Sequence, residues 1–274
     1  MQNSLREQRI EIFNDTQRLT TNGGVYATQT KQAIENTIVF GEKQLLSSSP
    51  KFPICPISVE NAPTLDVAQR FEGRYGHVAV LNFASAKNPG GGVERGANAQ
   101  EEYLCRCSGL YNCLKSSKVF GEYYGYHRKQ RSTLYSDKII FSVGVPVFKD
   151  ANGNRLGCAF DADVITCAAP NVGTDEFKGR NPESVEFGHL SYREVLYNRI
   201  KNILTVAANN SVKAIVLGAF GCGVFGNDPA IVAQTFRKLL IDEGFRQYFA
   251  EVTFAILARD ERDRNLSTFR KEFR

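Results

Sequence analysis

A chain of 274 residues, of which 42% are hydrophobic and 23% charged, can bury a sizeable core and lies near the upper size for a single one. No apolar run approaches the roughly 20 residues of a membrane helix, and the first residues lack the apolar core of a signal peptide. We therefore expect a soluble, cytoplasmic protein that does not associate with membranes.

Apolar, branched runs alternate with amphipathic segments along most of the chain. The predicted elements, in chain order, are a helix at Leu5–Arg18, weak strands at Thr37–Phe40 and Ile57–Val59, a strand at His77–Ala84, a helix at Ala99–Leu114, strands at Lys138–Phe148 and Asp163–Ala168, a helix at Tyr192–Ala208, a strand at Lys213–Phe220, a helix at Pro229–Glu243 and a strand at Glu251–Ala258. Strands separated by helices of this length predict an α/β sandwich with a largely buried sheet. In such sheets, ligands bind where strands end and loops lead into helices.

The net charge of +5 is small and spread along the chain. The final stretch, RDERDRNLSTFRKEFR, mixes both signs and predicts a solvated terminal helix rather than a nucleic-acid tail.

The cysteines are scattered, odd in number and without a CxxC motif. They are Cys55, Cys105, Cys107, Cys113, Cys158, Cys167 and Cys222. This pattern argues against a disulfide framework and fits a reducing compartment. The tightest cluster lies on a predicted helix, where positions two apart point about 200° apart, so we expect no shared metal ion.

Two predicted strand-to-helix loops are rich in glycine. The first, Asn88–Gly92 (NPGGG), follows the strand at His77–Ala84, and the second, Gly218–Asp228 (GAFGCGVFGND), precedes the helix that Asp228 caps and Pro229 begins. Backbone N–H groups near a helix N-terminus favour an anionic phosphate. The alternative is that these glycines serve only tight turns.

The second loop contains GCGVFG, a literal GxGxxG motif. A dinucleotide-binding fold needs this motif early, with several strands beyond it, whereas only one predicted strand follows here. A Walker GxxxxGK[ST] motif is missing from the sequence. The pattern therefore favours a diphosphate with an attached sugar, cradled from two sides.

Gln100, Glu101 and Glu102 follow the first loop at the start of a predicted helix. Adjacent residues on a helix diverge by about 100°, so we expect that the two carboxylates cannot face the same atom and that one acts in the chemistry while the other orients the substrate. A carboxyl group that acts as an acid must be protonated, and burial beside a second carboxylate raises its pKa. The alternative is that the three are merely favourable first-turn residues.

The sequence offers few other candidates for catalytic groups. We interpret His77, His127 and His189 as surface or structural residues. Cys222 has the position of a nucleophile at a helix N-terminus, but we favour the interpretation that a small residue is needed where a phosphate approaches.

The spacing NPGGG, seven residues, then QEE resembles the catalytic loop of the bacterial-type poly(ADP-ribose) glycohydrolases, which are macrodomain proteins. The similarity continues through EEYLCRCSGLY, VITCAAPN, RIKNILTVAANN and LGAFGCGVFGNDP. It implies one domain over residues 1–274, a three-layer α/β/α macrodomain-like sandwich with a mixed central sheet, in which 1–60 form a helical N-terminal extension and 61–274 the core.

The resemblance also implies residue roles. Glu102 would protonate the leaving oxygen of the ribose–ribose bond and then activate water, while Glu101 would hold the distal ribose hydroxyls and Gln100 would support that geometry. No metal or other cofactor is needed in this scheme.

The resemblance further implies a set of ligand-binding residues. Replacement of Gly91 by a branched residue would place a side chain where the ligand lies against the backbone. They are Asn82, Asn88, Gly90, Gly91, Gly92, Gly221, Cys222, Gly223, Val224, Phe225 and Gly226. Phe225 would pack over the ribose, and either Asn82 or Asn88 would bond it.

The leading hypothesis is thus a monomeric poly(ADP-ribose) glycohydrolase whose partner is ADP-ribose, its polymer or ADP-ribosylated macromolecules. Sequence-specific nucleic-acid binding is not expected. Two alternatives remain open, a mono-ADP-ribosyl hydrolase that uses the same residues and a non-catalytic ADP-ribose reader. A reader would have no use for Glu102.

Overall fold

The computed structural model describes residues 2–53, 55–174, 177, 181, 186–187 and 190–274. The α-helices are α1 (Gln2–Thr20), α2 (Ala27–Glu35), α3 (Thr64–Tyr75), α4 (Gln100–Cys107), α5 (Leu110–Lys115), α6 (Ser117–Val119), α7 (Tyr126–Lys129), α8 (Tyr192–Asn209), α9 (Pro229–Arg237) and α10 (Arg264–Glu272). The strands are β1 (Ile38–Phe40), β2 (Ile57–Glu60), β3 (Val78–Phe83), β4 (Ile139–Lys149), β5 (Arg155–Cys167), β6 (Glu186–Phe187), β7 (Leu190–Ser191), β8 (Ala214–Leu217) and β9 (Glu251–Ala255).

Seven strands form one mixed sheet in the order β1-β4-β5-β3-β8-β9-β2. Strand β4 runs antiparallel to both of its neighbours, and the five strands from β5 to β2 are parallel. Strands β6 and β7 form a separate two-stranded ribbon. Because β3 and β8 are adjacent and parallel, the loops that leave their carboxyl ends emerge side by side at one edge.

The sheet carries a hydrophobic core on each face, as the alternation along β3 shows. Leu81 points into the core that α8, α9 and α10 cover, and Val80 points into the core that α3, α4 and α5 cover. The predicted three-layer α/β/α fold with a mixed sheet is therefore confirmed.

Every predicted strand has a counterpart, but the long predicted helix Ala99–Leu114 is wrong as one piece. It breaks between α4 and α5 because Ser108 adopts extended backbone and bridges to Val147, while Gly109 N–H donates to Pro146 O at 3.0 Å. Helices α2 and α3 were not predicted from the sequence. Neither was the helical run that begins with α6, continues through a π-helical turn and ends with α7.

The N-terminal extension predicted for residues 1–60 contributes to the central sheet. Strands β1 and β2 both lie within it and form the two outer edges. Helix α1 packs on the segment that leads to α4, where Arg6 Nε donates to Arg95 O at 2.7 Å and Arg9 Nε to Gly96 O at 2.8 Å. The division at residue 60 stays a prediction.

The predicted terminal helix forms as α10, but it is not solvated on all sides. Leu266 and Phe269 are fully buried, and the Phe269 ring lies 5.2 Å from that of Phe254. The charged residues therefore occupy only the outer face. Within the described residues, no helix is long and apolar enough to cross a membrane.

Candidate active site

The two glycine-rich loops meet above the carboxyl ends of β3 and β8. The first runs from Ala84 to Ala99 and ends at α4, and the second runs from Gly218 to Asp228 and ends at α9. Asp228 caps α9 by accepting a hydrogen bond from Ala230 N–H at 2.8 Å, and Pro229 is the first helical residue, as predicted.

Two carboxylates converge on the first loop. Glu102 accepts hydrogen bonds from Gly92 N–H at 2.8 Å and from Ala99 N–H at 2.9 Å, one on each oxygen. Gly91 has φ +61°, and a Cβ there would collide with Glu102 Oε1 and lie 3.1 Å from Glu101 Oε2. The prediction that the two carboxylates cannot face the same atom is therefore wrong, because helical side chains lean back toward the N-terminus and both reach this glycine.

Glu101 is the more deeply placed acid, with 3% of its surface exposed. Its Oε2 accepts a hydrogen bond from Ser85 N–H at 2.7 Å, and its Oε1 is buried without a partner among the described residues. Burial raises the pKa of Glu101 to about 8, the Ser85 N–H opposes that rise, and the charge of Glu102 adds to it. A proton therefore resides on this carboxyl group near neutral pH.

Gln100 connects α4 to the end of β3. Its Oε1 accepts a hydrogen bond from Phe83 N–H at 2.9 Å, and its Nε2 donates to Leu81 O at 2.8 Å. The Gln100 side-chain amide thus pairs with backbone groups of β3, and these two hydrogen bonds fix the start of α4 relative to the sheet. Gln100 is placed to position the two acids.

The two candidate asparagines lie at different depths. Asn82 is fully buried, with Nδ2 donating to Thr166 Oγ1 at 3.1 Å, and its Oδ1 has no partner among the described residues. Its amide also lies beside the Glu101 carboxyl, whose pKa it lowers against the larger effect of burial. Asn88 is exposed at the rim, where its Oδ1 accepts a hydrogen bond from Arg128 Nη2 at 3.4 Å.

Asn227 holds the second loop in shape. This buried amide donates to Pro170 O at 2.8 Å and to Gly221 O at 3.0 Å, and it accepts from Tyr192 Oη at 2.6 Å. Gly221 has φ +73°, and a Cβ there would collide with the Asn227 amide. The turn therefore requires glycine at this position.

The tip of the second loop is open. A Cβ on Gly223 would meet no heavy atom within 4 Å, and Val224 is 87% exposed. Phe225 is half-buried with its ring 6.1 Å from that of Tyr135, and its carbonyl accepts hydrogen bonds from the Val172 and Gly173 N–H groups. The neighbouring Gly226 has φ +71°. The N–H groups of Cys222, Gly226 and Asn227 donate to carbonyls within this loop, whereas Gly223 and Val224 at its tip are exposed.

Cys222 is a protonated thiol at ordinary pH, because burial raises its pKa to about 12. Unionised thiols are poor nucleophiles, so the structure favours the small-residue interpretation of this position. Within the part of the chain that the structure describes, no three His, Cys, Asp or Glu side chains are grouped to hold a metal ion.

The two described histidines lie away from the paired acids. His77 precedes β3 at the opposite edge of the sheet, where a hydrogen bond with Asp163 raises its pKa to about 9. His127 is fully buried against Ser136, and burial lowers its pKa to about 4. His189 lies outside the described residues.

Known proteins are similar to this chain in sequence and fold. A family model described as microbial-type PARG, catalytic domain, matches residues 7–150. The crystal structure of poly(ADP-ribose) glycohydrolase (PARG) from Thermomonospora curvata, bound to the inhibitor ADP-HPD, is 35% identical, covers 98% of this chain and 99% of that one, and gives a TM-score of 0.80. The chain belongs to the microbial-type poly(ADP-ribose) glycohydrolase family. The glycohydrolase from Deinococcus radiodurans in complex with ADP-ribose is 38% identical, with 89% of this chain and 96% of that one covered and a TM-score of 0.79.

A comparison with curated proteins gives no significant match. The assignment to the glycohydrolase family rests on the family model and on the solved structures together.

Sequence reasoning missed several residues that shape this glycohydrolase site. Ser85 bonds Glu101 through its N–H and accepts the Lys87 and Asn88 N–H groups at its hydroxyl. Arg199, fully buried, pairs with Asp137 at 2.6 Å and donates to the Ala168 and Leu134 carbonyls. For Arg199, the available signal was a single cation on the apolar face of a predicted helix. No feature of the neighbouring sequence distinguished Ser85.

Proposed function

We infer that this protein hydrolyses the ribose–ribose O-glycosidic bonds of poly(ADP-ribose) and releases ADP-ribose. The observation that carries the inference is the convergence of two buried carboxyl groups on Gly91, between two loops rich in backbone N–H groups. The loops suit a diphosphate, and the acids suit a glycosidic bond beside it.

The binding scheme follows from the placement of the two loops and from buried acceptors, because the Gly91 and Gly92 N–H groups already donate to Asn88 O and Glu102. The diphosphate lies between Gly90–Gly92 on one side and Gly221–Gly226 on the other, and Phe225 packs over the ribose. The buried, unpartnered oxygens of Asn82 and Glu101 suit ribose hydroxyl groups, because a hydroxyl donates to such acceptors at little cost.

The chemical step needs one proton and one water molecule. Glu102 gives a proton to the leaving oxygen, the C–O bond breaks toward an oxocarbenium-like centre, and water then adds to the anomeric carbon while its proton returns to Glu102. The bound diphosphate stabilises the positive charge that develops. Burial raises the pKa of Glu101 to about 8, so we propose that this second acid stays neutral near pH 7 and holds a ribose hydroxyl.

The test is release of ADP-ribose from purified poly(ADP-ribose) by the wild type, Glu102→Gln and Glu94→Gln. Glu94 is a matched control, since it is a carboxylate of the same loop whose side chain is 60% exposed and bonds Tyr111. We expect Glu102→Gln to lower turnover by about 100-fold or more and Glu94→Gln to leave it within about twofold. Calorimetric titration should show nearly unchanged ADP-ribose affinity in both variants.

The failure modes are separable. Glutamine at position 102 can accept only one of the two N–H groups, so the folded state of each variant must first be checked by thermal unfolding. A folded wild type that releases nothing would refute the glycohydrolase proposal. Release from defined mono-ADP-ribosylated substrates, or tight ADP-ribose binding without turnover, would then point to the mono-ADP-ribosyl hydrolase or the reader.

We also propose that the protein acts as a monomer in the cytoplasm. The free thiols of all seven cysteines suit a reducing compartment. Light scattering of the purified protein would test the oligomeric state, and fractionation of the source cells would test the location.

A further inference from the structure

Residues 128–133, here called the rim segment, connect the two loops of the site along its edge. At one end, Arg128 Nε donates to Lys87 O at 2.8 Å, and Arg128 Nη2 donates to Asn88 Oδ1 at 3.4 Å. At the other end, Asn171 N–H donates to Thr133 O, and Thr133 Oγ1 donates to Asn171 O, both at 3.0 Å.

From Asn171 the connection continues to the second loop. The next two residues, Val172 and Gly173, donate their N–H groups to Phe225 O at 2.9 and 3.0 Å. The rim segment therefore begins at the loop that faces the acids and ends beside the loop proposed to hold the diphosphate.

The rim segment is strongly cationic and open to solvent. Arg128, Lys129 and Arg131 are all exposed, and Lys87 lies beside them. None of these four cations forms an ion pair with a carboxylate of the described residues. The sequence from Tyr126 to Ser136 contains no acidic residue, and the nearby carboxylates Glu42 and Asp137 bond Tyr126 and Arg199 instead.

Arg128 has a second contact that fixes its orientation. Its guanidinium lies 4.8 Å from the centre of the Phe120 ring, in addition to its bonds to the first loop. Its position is therefore set by the fold, whereas no described partner holds the Lys129 and Arg131 side chains. These two are available to an incoming anion.

We propose that the rim segment binds the diphosphate groups of the polymer units that lie beyond the unit held in the site, and so makes the enzyme selective for chains over single ADP-ribose groups. This rests on the proposed glycohydrolase function. Each further unit carries another diphosphate, and the two glycine loops accommodate only one. A row of exposed cations without ion-pair partners, next to the first loop, raises the local concentration of such a chain.

The experiment compares wild type with the double variant Lys129→Gln/Arg131→Gln, leaving Arg128 to hold the loop. The matched control is Lys31→Gln/Lys213→Gln, which removes the same charge from exposed residues on α2 and at the opposite edge of the sheet. We expect kcat/KM on long, size-fractionated chains to fall about tenfold in the rim variant at low salt. At about 1 M salt, where charges are screened beyond about 3 Å, the rim variant and wild type should give the same kcat/KM. ADP-ribose affinity, measured by calorimetry, should stay within about twofold, because the held unit does not use these side chains.

Wild type that releases no ADP-ribose would refute the proposed function itself. If wild type is active, the rim proposal is overturned by an unchanged kcat/KM in the rim variant or by an equal loss in the control variant, which would indicate net charge alone. An equal loss of ADP-ribose affinity would overturn it too, by assigning the cations to the held unit. Single-stranded DNA tests an alternative ligand. If it inhibits wild type but not the rim variant, and added poly(ADP-ribose) does not relieve that inhibition, the surface would be assigned to nucleic acid instead.

Discussion

The two loops are both rich in glycine but are held by different parts of the protein. In the first loop, a Cβ on Gly90 would lie 2.7 Å from the Tyr111 ring, and one on Gly91 would collide with Glu102. In the second loop, Asn227 ties the ends together, while Gly223 faces open space at the tip.

This difference separates two reasons for glycine. The first loop needs it because the protein's own side chains, two of them the proposed catalytic acids, fill the space above the backbone. The second loop needs it at Gly221 for the same reason, but at Gly223 nothing in the chain excludes a side chain. Glycine there is consistent with a ligand that approaches the backbone from outside.

The largest effect is expected for Gly91→Val. The sequence alone predicted weaker ligand binding, but the structure directs the new side chain at both acids and imposes a left-handed backbone that costs a residue with a Cβ roughly 1–2 kcal/mol. We expect turnover to fall about 100-fold or more, since a displacement of about 1 Å suffices for that loss. Kinetics of ADP-ribose release and thermal unfolding check both parts, and normal turnover with weak binding would restore the original prediction.

Gly223→Val is the matched change in the second loop. A side chain there has room in the protein, so the free energy of unfolding should change by less than about 0.5 kcal/mol. Affinity for ADP-ribose should nevertheless fall about tenfold, or roughly 1.4 kcal/mol, because the side chain occupies the ligand's path. Calorimetric titration measures the affinity, and destabilisation as large as that of Gly91→Val would remove the contrast between the loops.

The pH dependence of stability tests the buried proton of the first loop. Glu101 has a pKa of about 8 in the folded protein against 4.5 for the free side chain, so between these values the folded state holds a proton that the unfolded chain has lost. The stability from the neutral carboxyl is complete below pH 4.5 and is lost as the pH rises through 8. The Tm of wild type should therefore fall relative to that of Glu101→Gln between pH 5 and pH 8, and a constant difference would show that the proton is not there.

The smallest effect is expected for Cys222→Ala in the second loop. The thiol is un-ionised, with a pKa of about 12, so turnover should stay within about twofold of wild type. Iodoacetamide at pH 7.5 should also modify Cys222 more slowly than the exposed Cys158. A loss of activity comparable to that of Glu102→Gln would reinstate a nucleophilic thiol.

Much of the fold was predictable because the sheet is assembled from branched, apolar runs. Strands β3, β4, β8 and β9 are buried almost throughout, and each leaves such a run in the sequence. The first half of β5 was missed because residues from Arg155 to Ala159 protrude in a hairpin and are mostly exposed, so their pairing with β4 leaves no apolar pattern.

The sequence by itself determined the chemical inventory of this protein and its order along the chain. It placed glycines and acids in loops that follow strands, and the spacing of NPGGG and QEE indicated the family. Local patterns suffice for this because a strand, a turn and a helix start are each specified by neighbouring residues.

The tertiary structure alone decided that burial raises the pKa of Glu101, that both acids face Gly91, and that a cationic segment joins the two loops. Each of these depends on groups remote in sequence, such as Ser85 beside Glu101 and Arg128 beside Asn88. Burial and electrostatic fields are properties of the packed neighbourhood, and a linear pattern does not contain the distances that set them.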